Sequence, residues 1–103
     1  MPALTKTQRE YLRKHAHDLK PMVQVGKNGL SDSVLASVDQ ALDAHELIKI
    51  KFLDFKDEKR ELSEEIAEAT GGNLIAIIGN VAIVYREQRD PELRKIALPS
   101  SYA

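Results

Sequence analysis

The sequence predicts an α/β fold, a compact two-layer sandwich with a small four-stranded mixed sheet. Segments of helical periodicity alternate with short apolar strands along most of the chain, and two further strands flank a two-residue turn signal at Gly79-Asn80. The expected order is helix, strand, helix, strand, helix, strand, strand. Because helical connections join the first three strands, we expect a mixed sheet that is closed by an antiparallel hairpin.

The first helix is predicted from a capping signal. Thr5 followed by Gln8 has the form of a capping box, which favours a helix from there to about His17. Pro21 cannot continue a helix, so residues 22–25 are interpreted as the first strand. The apolar stripe of this helix comprises Tyr11, Leu12, Ala16 and Leu19.

Two more helices follow. Ser31 is the expected N-cap of the second, which keeps helical spacing to about His45, and Leu30 and Leu35 are placed for a hydrophobic staple. The third helix is expected to begin at Asp57-Glu58 and to stop at Gly71. Its predicted inward positions are Leu62, Ile66 and Ala69, and its acidic outer face includes Glu61, Glu64, Glu65 and Glu68.

The central strand is predicted over residues 47–52, which alternate between apolar and basic side chains. Ile48, Ile50 and Phe52 would face one side of the sheet, and Lys49 and Lys51 the other. Residues 73–78 and 81–86 are the last two strands. Ile96 and Leu98 are expected to dock the following segment at a sheet edge, so that residues 1–98 form a single domain and residues 99–103 a loose tail.

Composition excludes several classes of protein. A chain of 103 residues is the size of one domain. Cysteine is absent, which excludes disulfides, thiolate metal sites and cysteine nucleophiles. Nothing at the N-terminus resembles a signal peptide and no apolar run approaches membrane-spanning length, so we expect a soluble, cytoplasmic protein. A monomer is the default oligomeric state.

The distribution of charge is more informative than the net charge of −1. Residues 1–30 carry six Lys and Arg against two acidic residues, whereas residues 31–70 carry five against eleven and residues 71–103 four against three. The basic excess therefore lies in the first helix and the segment after it. Such an excess favours an anionic partner at that part of the chain.

A glycine-rich turn lies between the first strand and the second helix: Gly26, Lys27, Asn28 and Gly29. The two glycines leave little side-chain bulk and tolerate positive φ, as Asn28 also does to a lesser degree, so backbone N–H groups can approach a ligand. Lys27 adds a mobile positive charge, and the next helix begins with unsatisfied N–H groups. The turn is suited to a phosphate, although such glycine pairs commonly make only a turn, and Asp32 would repel an anion.

Further basic residues extend this candidate site. Lys6, Arg9, Arg13 and His17 recur on one face of the first helix and lead to Lys20. Lys49 and Lys51 form a basic pair on one face of the central strand. A solvated helix face and a wet sheet face are the alternative interpretations. Whether the lysine pair shares a surface with the glycine turn depends on which sheet face the helices cover.

No catalytic or metal-binding constellation is present in the sequence. His15 and His17 point about 200° apart on a helix, and His45 is placed at a helix end, so we expect no metal and no cofactor. The glycine turn lacks the spacing of a P-loop, and no Gly-x-Ser-x-Gly occurs. An enzyme is therefore the weak hypothesis. Aromatic residues are few, and Tyr85 is expected in the core rather than in a base-stacking role.

The order and spacing of five motifs resemble those of a known family. The motifs are Leu-Lys-Pro at 19–21, Val-Gly-Lys-Asn-Gly-Leu at 25–30, His-Glu-Leu-Ile-Lys-Ile-Lys at 45–51, Gly-Gly at 71–72 and Ile-Gly-Asn-Val-Ala-Ile-Val-Tyr-Arg at 78–86. On these motifs, the chain from about Leu4 to Leu98 is similar to the YhbY-like proteins, stand-alone bacterial members of the chloroplast RNA splicing and ribosome maturation (CRM) domain family. Residues 88–92 do not match the pattern of that family.

The resemblance implies a non-enzymatic RNA-binding domain, with a Gly-x-x-Gly loop similar to that of KH domains. It implies a fold similar to the C-terminal domain of a bacterial translation initiation factor, and association with precursors of the large ribosomal subunit. Gly26, Lys27, Asn28 and Gly29 would then meet the RNA backbone. Ribosomal RNA is the expected partner, with ribosomal proteins as further candidates, and phosphate contacts should dominate binding.

A protein-interaction module is the alternative that remains open. The acidic third helix could bind a basic partner, or an exposed strand edge could pair with another chain. Such binding should survive charge reversal at the basic residues, whereas RNA binding should not.

Overall fold

Three helices and four strands follow one another in the predicted order in the computed structural model, which describes residues 3–99. The α/β class and the element order are confirmed. The predicted loose tail lies outside the described residues from 100 onward. Pro99 itself is held, because its carbonyl accepts a hydrogen bond from Gln8 Nε2 at 3.0 Å. The elements are α1 (Lys6–His15), β1 (Val23–Val25), α2 (Asp32–His45), β2 (Leu47–Phe52), α3 (Lys59–Thr70), β3 (Asn73–Ile78) and β4 (Val81–Tyr85).

The sheet is mixed, with the strand order β1-β2-β4-β3. β1 runs parallel to β2, to which α2 connects it, and β4 runs antiparallel to both β2 and β3. The two-residue turn at Gly79-Asn80 makes the β3–β4 hairpin, and Gly79 has a φ of +60°. The last strand of the chain therefore lies inside the sheet, and β1 and β3 form its edges.

One face of the sheet packs against α2 and α3. Ile48, Ile50 and Phe52 of β2 point to this side and are fully buried. Their neighbours in this larger core include Val23 and Val25 of β1, Val38 and Leu42 of α2, Ile66 of α3, and Ala82 and Val84 of β4. The predicted alternation along β2 is confirmed.

The other face of the sheet carries a second, smaller core beneath α1. Leu12 and Ala16 of α1 pack there against Leu47, Ile83 and Tyr85. The odd-numbered positions of β2 begin with apolar Leu47, so the second face needs a cover, and α1 supplies a partial third layer. Ile96 and Leu98 also pack on this face rather than at the predicted sheet edge.

Local capping signals set most helix ends. Thr5 and Gln8 form the predicted capping box, although α1 ends at His15 rather than His17. Ser31 Oγ accepts a hydrogen bond from Val34 N at 3.2 Å and so caps α2. A short 3-10 turn at Lys56–Glu58 precedes α3. Gly71, which has a φ of +70°, caps the C-terminal end of α3.

The inward face of α3 differs from the prediction at one position. Ser63, Ile66 and Ala67 are buried, whereas Ala69 is exposed and its predicted inward placement is wrong. Residues 62, 63, 66, 67 and 70 form the stripe that faces the sheet, and Ala69 lies at its margin, where a methyl group is too short to reach the core.

Glu46 ties the C-terminal segment to the end of α2. Its side chain is 1% exposed, and its carboxylate accepts hydrogen bonds from Gln88 N at 2.9 Å, Ile96 N at 3.1 Å and also Lys95 N. Its own backbone has a φ of +62°, donates to Leu42 O and accepts from Arg86 N. One buried carboxylate thus joins three segments (the end of α2, the segment after β4 and the segment at Lys95 and Ile96) and satisfies donors that would otherwise be costly to bury.

Replacing Glu46 should undock the C-terminal segment. Glu46→Ala leaves the three backbone donors without their acceptor, so we expect a loss of roughly 2–4 kcal/mol in the free energy of unfolding. Urea denaturation measures this loss, and amide exchange should speed up first at Gln88, Lys95 and Ile96. Glu68→Ala on the exposed face of α3 is the matched control. Equal stability of the two variants would contradict the role of Glu46.

Tyr85 should limit stability at high pH. Burial, together with the nearby Glu46 carboxylate, raises the pKa of Tyr85 from 10.0 to about 12. Between pH 10 and about 12, the phenol is therefore neutral in the folded state but ionised in the unfolded chain. The contribution of Tyr85 to the free energy of unfolding is full below pH 10 and is lost as the pH rises from 10 to about 12.

Tyr85→Phe should remove this part of the loss of folding stability at high pH. The hydroxyl is buried and has no hydrogen-bond partner among the described residues, so the change at pH 7 should stay within about 1 kcal/mol. Thermal unfolding from pH 7 to 12 checks both points, with Tyr11→Phe at the surface as control. The expectation fails if Tyr85→Phe follows the wild-type pH profile.

Candidate nucleic-acid interface

The glycine loop is an exposed tight turn between β1 and α2. Gly29 N donates to Gly26 O at 3.0 Å, which closes the turn, and Lys27 and Asn28 at its tip are exposed. Only Gly29 adopts positive φ, at +61°, so the freedom expected of Gly26 and Asn28 is not used. A Cβ at Gly26 would meet nothing within 4 Å, which leaves that side of the turn open to a ligand.

Phe55 covers the other glycine. A Cβ at Gly29 would lie 3.4 Å from Cε2 of Phe55, in contact with the ring, so the ring borders the turn directly. Phe55 has φ +56° and ψ +37°, in the left-handed region that costs a non-glycine residue about 1–2 kcal/mol. Its side chain is nevertheless 42% exposed. The aromatic ring is thus held in a strained position beside the loop without being buried.

Backbone hydrogen bonds hold the loop at one end of the sheet. Leu53 N and Asp54 N both donate to Val25 O, at 2.9 and 3.3 Å, which ties the segment after β2 to the end of β1. On the other side, Phe52 N donates to Asn80 O at 2.8 Å. Three connections therefore meet at this end: the glycine loop, the segment after β2 and the β3–β4 turn. Such anchoring favours a preformed surface.

The basic residues of α1 differ in how much their side chains are used in contacts within the fold. Lys6 and Arg13 are exposed, as predicted for a basic face. Arg9 is half-buried, and its Nη2 donates to Leu74 O at 2.5 Å and to Ile75 O at 3.3 Å, which attaches α1 to β3. His17 lies beyond the end of the helix. Arg9 is therefore partly committed to the fold, whereas Lys6 and Arg13 can reach a ligand.

A basic groove with an apolar floor lies between α1 and the sheet. It has a volume of about 560 Å³, and Asp18 is its one acidic residue among the described lining. Lys49 stands at its wall, where Nζ donates to Leu19 O at 2.9 Å and to His17 O at 3.2 Å. The basic lining residues are Arg13, Lys14, His17 and Lys49, and the floor is formed by Ile78, Val81 and Ile83.

The lysine pair of β2 lies on the face opposite α2. Lys49 is opposite Ile83 and Lys51 is opposite Val81 in the sheet register, so both lysines belong to the face that α1 covers only in part. Lys51 is exposed, and its neighbour on β1 is Gln24, two residues before the glycine loop begins. Lys20 is exposed in the connection between α1 and β1. The open part of this face therefore extends from the groove towards the loop.

Several other basic side chains form ion pairs with carboxylates. Arg86 lies between Asp39 and Asp43, at 2.6 and 2.8 Å, and also donates to Thr70 O. Within residues 3–99 the ion pairs use Arg60, Arg86 and Arg94, and none uses a basic residue of α1, the glycine loop or β2. The charges of the candidate interface are consequently not neutralised by ion pairs in the described part of the chain.

Residues 3–99 contain neither a cluster of metal ligands nor a membrane-spanning helix. No group of three or more His, Asp or Glu side chains is arranged to hold a metal ion there. Likewise, no helix in that range has the length and apolar character needed to cross a membrane.

Sequence reasoning missed Phe55 as a candidate site residue. In the sequence, Phe55 is an isolated aromatic residue between charged residues of a loop. Composition alone does not distinguish such a residue from a core residue. The structure separates the two cases, because Phe52 and Tyr85 are fully buried and Phe55 is not. The expected core role of Tyr85 agrees with its burial.

The chain matches the model of the CRS1 / YhbY (CRM) domain over residues 4–86. It is 36% identical over 97 residues to the "Probable RNA-binding protein YqeI" of Bacillus subtilis, covering 93% of this chain and 99% of that protein. It is 40% identical over 90 residues to the "Probable RNA-binding protein PA4753" of Pseudomonas aeruginosa, covering 86% of each.

A solved structure has the same fold. The solution structure of the hypothetical protein SAV1595 from Staphylococcus aureus superposes with a TM-score of 0.80 at 38% sequence identity, and the match covers 94% of this chain and 100% of that one. The resemblance on which the sequence interpretation was based is thereby confirmed: the chain belongs to the CRS1/YhbY (CRM) domain family.

Proposed function

We propose that the protein is a non-enzymatic RNA-binding protein that binds ribosomal RNA in the cytoplasm during assembly of the large ribosomal subunit. The observation that carries the proposal is the glycine loop, an anchored turn with an exposed lysine at its tip and open space at Gly26. The names of the relatives from Bacillus subtilis and Pseudomonas aeruginosa, which call them RNA-binding proteins, support the same class of ligand.

The loop is suited to a phosphate of the RNA backbone. Without a Cβ at Gly26, a phosphate oxygen can approach the turn N–H groups closely, while Lys27 supplies a charge at the tip. The first turn of α2 is a poorer anion site, because Ser31 Oγ already accepts from Val34 N and Asp32 is acidic. The turn, rather than the helix end, is therefore the proposed contact.

The basic groove extends the footprint beyond one phosphate. Lys49 and Lys51 lie on the partly open sheet face, Arg13 lines the groove from α1, and Lys20 lies between α1 and β1. A surface made of lysines and arginines with few exposed aromatic rings recognises chiefly backbone and shape, as a folded ribosomal RNA would present. Strong salt dependence and modest sequence preference are expected.

The salt dependence of binding should locate the contact. For a structured ribosomal RNA fragment, log K should fall linearly with log salt, and Lys20→Glu/Lys27→Glu should flatten the slope by about two units because two phosphate contacts are lost. Fluorescence anisotropy between 50 and 300 mM salt, roughly the range in which such contacts are screened, measures the slope.

Arg89→Glu/Lys95→Glu is the matched control. It makes the same change of charge at exposed residues after β4, at the end of the sheet opposite the loop, and should leave the slope close to that of the wild type. Equal slopes for both double variants would remove the loop from the interface. They would then favour a protein partner.

The two glycines should respond differently to alanine. Gly26→Ala has room for its methyl group and should fold with wild-type stability, yet bind the RNA fragment more weakly because the methyl group blocks the backbone. Gly29→Ala forces a Cβ into the left-handed region beside Phe55 and should lose about 1–2 kcal/mol of stability. Chemical denaturation and anisotropy separate the two effects. Wild-type RNA affinity of Gly26→Ala would argue against close backbone contact.

A further inference from the structure

We propose that the ring of Phe55 is a stacking platform for one unpaired nucleobase, whose neighbouring phosphate lies on the glycine loop. This inference rests on the proposed function and assigns a base-contacting residue to the same site. It adds that the RNA at the loop is single-stranded, since a paired base would first have to be flipped out of its stack to reach the ring, at a cost of about a few kcal/mol.

The first argument is the exposure of an aromatic ring at the loop. Phe55 is 42% exposed and Leu53, two residues earlier, is 46% exposed, so the segment after β2 carries two exposed apolar side chains. The other phenylalanine, Phe52, is completely buried in the larger core. An apolar ring at the surface gains from contact with the flat face of a base, and such stacking tolerates any base.

The second argument is the backbone conformation that presents the ring. A left-handed φ of +56° at a phenylalanine persists only where the surroundings enforce it, and such strain concentrates at functional sites. Here Leu53 N and Asp54 N donate to Val25 O, and Phe55 O accepts from Glu58 N at 3.0 Å. The ring is thus positioned before any ligand arrives, which lowers the entropic cost of binding.

The third argument is the proximity of phosphate and base contacts. Cε2 of Phe55 lies 3.4 Å from the position that a Cβ of Gly29 would take, so the ring borders the turn. Lys27 stands at the tip of the same turn, and exposed Lys56 follows Phe55. A nucleotide carries both a phosphate and a base, so the turn can bind the phosphate while the adjacent ring contacts the base.

A purely structural role for Phe55 is the competing explanation. In that case the ring only packs on Gly29 and holds the turn in shape. Phe55→Leu separates the two roles, because leucine keeps apolar packing on the glycine but removes the π face. A structural role predicts that Phe55→Leu changes the stability of the domain. A stacking role predicts that it changes how much the unpaired base contributes to RNA affinity.

The test uses a stem–loop RNA with unpaired uridines and the same stem–loop with abasic loop positions. The wild type should bind the abasic RNA more weakly, by roughly tenfold to a hundredfold for one lost stack. Phe55→Leu should bind both RNAs with the same weak affinity, with a melting temperature and a salt slope close to those of the wild type.

A fluorescence experiment gives a second measurement. The chain contains no tryptophan, so Phe55→Trp introduces a single reporter, and Leu93→Trp at an exposed position after β4 is its control. Uridine stem–loop RNA should quench the Phe55→Trp signal and leave the Leu93→Trp signal unchanged.

The outcomes distinguish this inference from the function on which it rests. If wild type and Phe55→Leu discriminate equally between the two RNAs while Lys20→Glu/Lys27→Glu still flattens the salt slope, the stacking site is wrong and the RNA-binding loop stands. If the wild type binds neither stem–loop and its affinity for the ribosomal RNA fragment does not depend on salt, both proposals fall.

Discussion

The alternation of side chains along β2 is the constraint on which the rest of the structure depends. Its even-numbered residues complete the core under α2 and α3, and its odd-numbered residues place Leu47 in the second core and two lysines on the partly open face. A slip of one residue in its pairing would exchange the two sets and bury both lysines. The same register that builds the core therefore positions the basic surface.

A residue with positive φ lies near each end of this strand, which is unusual for residues other than glycine. Glu46 precedes the strand and Phe55 follows three residues after it, and they are the non-glycine residues of positive φ in the described chain. Glu46 is compensated by buried hydrogen bonds to the C-terminal segment, whereas Phe55 keeps much of its ring in solvent. The hydrogen bonds of Glu46 explain its conformation by stability alone, whereas the strained backbone of Phe55 holds an exposed ring, as is common at functional sites.

Local signals in the sequence predicted the elements well, and long-range packing was the part that they could not predict. The capping box at Thr5, the cap at Ser31 and the alternation of β2 are encoded within a few residues. The position of α1 is not, because an amphipathic stripe shows that a helix packs without showing which sheet face it covers. Glu46 finds its partners more than forty residues away, and the strain at Phe55 arises from neighbours in space, so neither leaves a periodic signal.

The strand order also constrains how the chain can assemble. β4 is the last strand to be synthesised, yet it occupies the position between β2 and β3. Until it is available, β3 has no strand to pair with and one edge of β2 stays open, so two apolar strand edges are exposed together. A chain interrupted before Val81 would carry most of its core residues and still be unable to close its sheet. Such an intermediate exposes strand edges that can pair with other chains, and the insertion of β4 between β2 and β3 removes both edges.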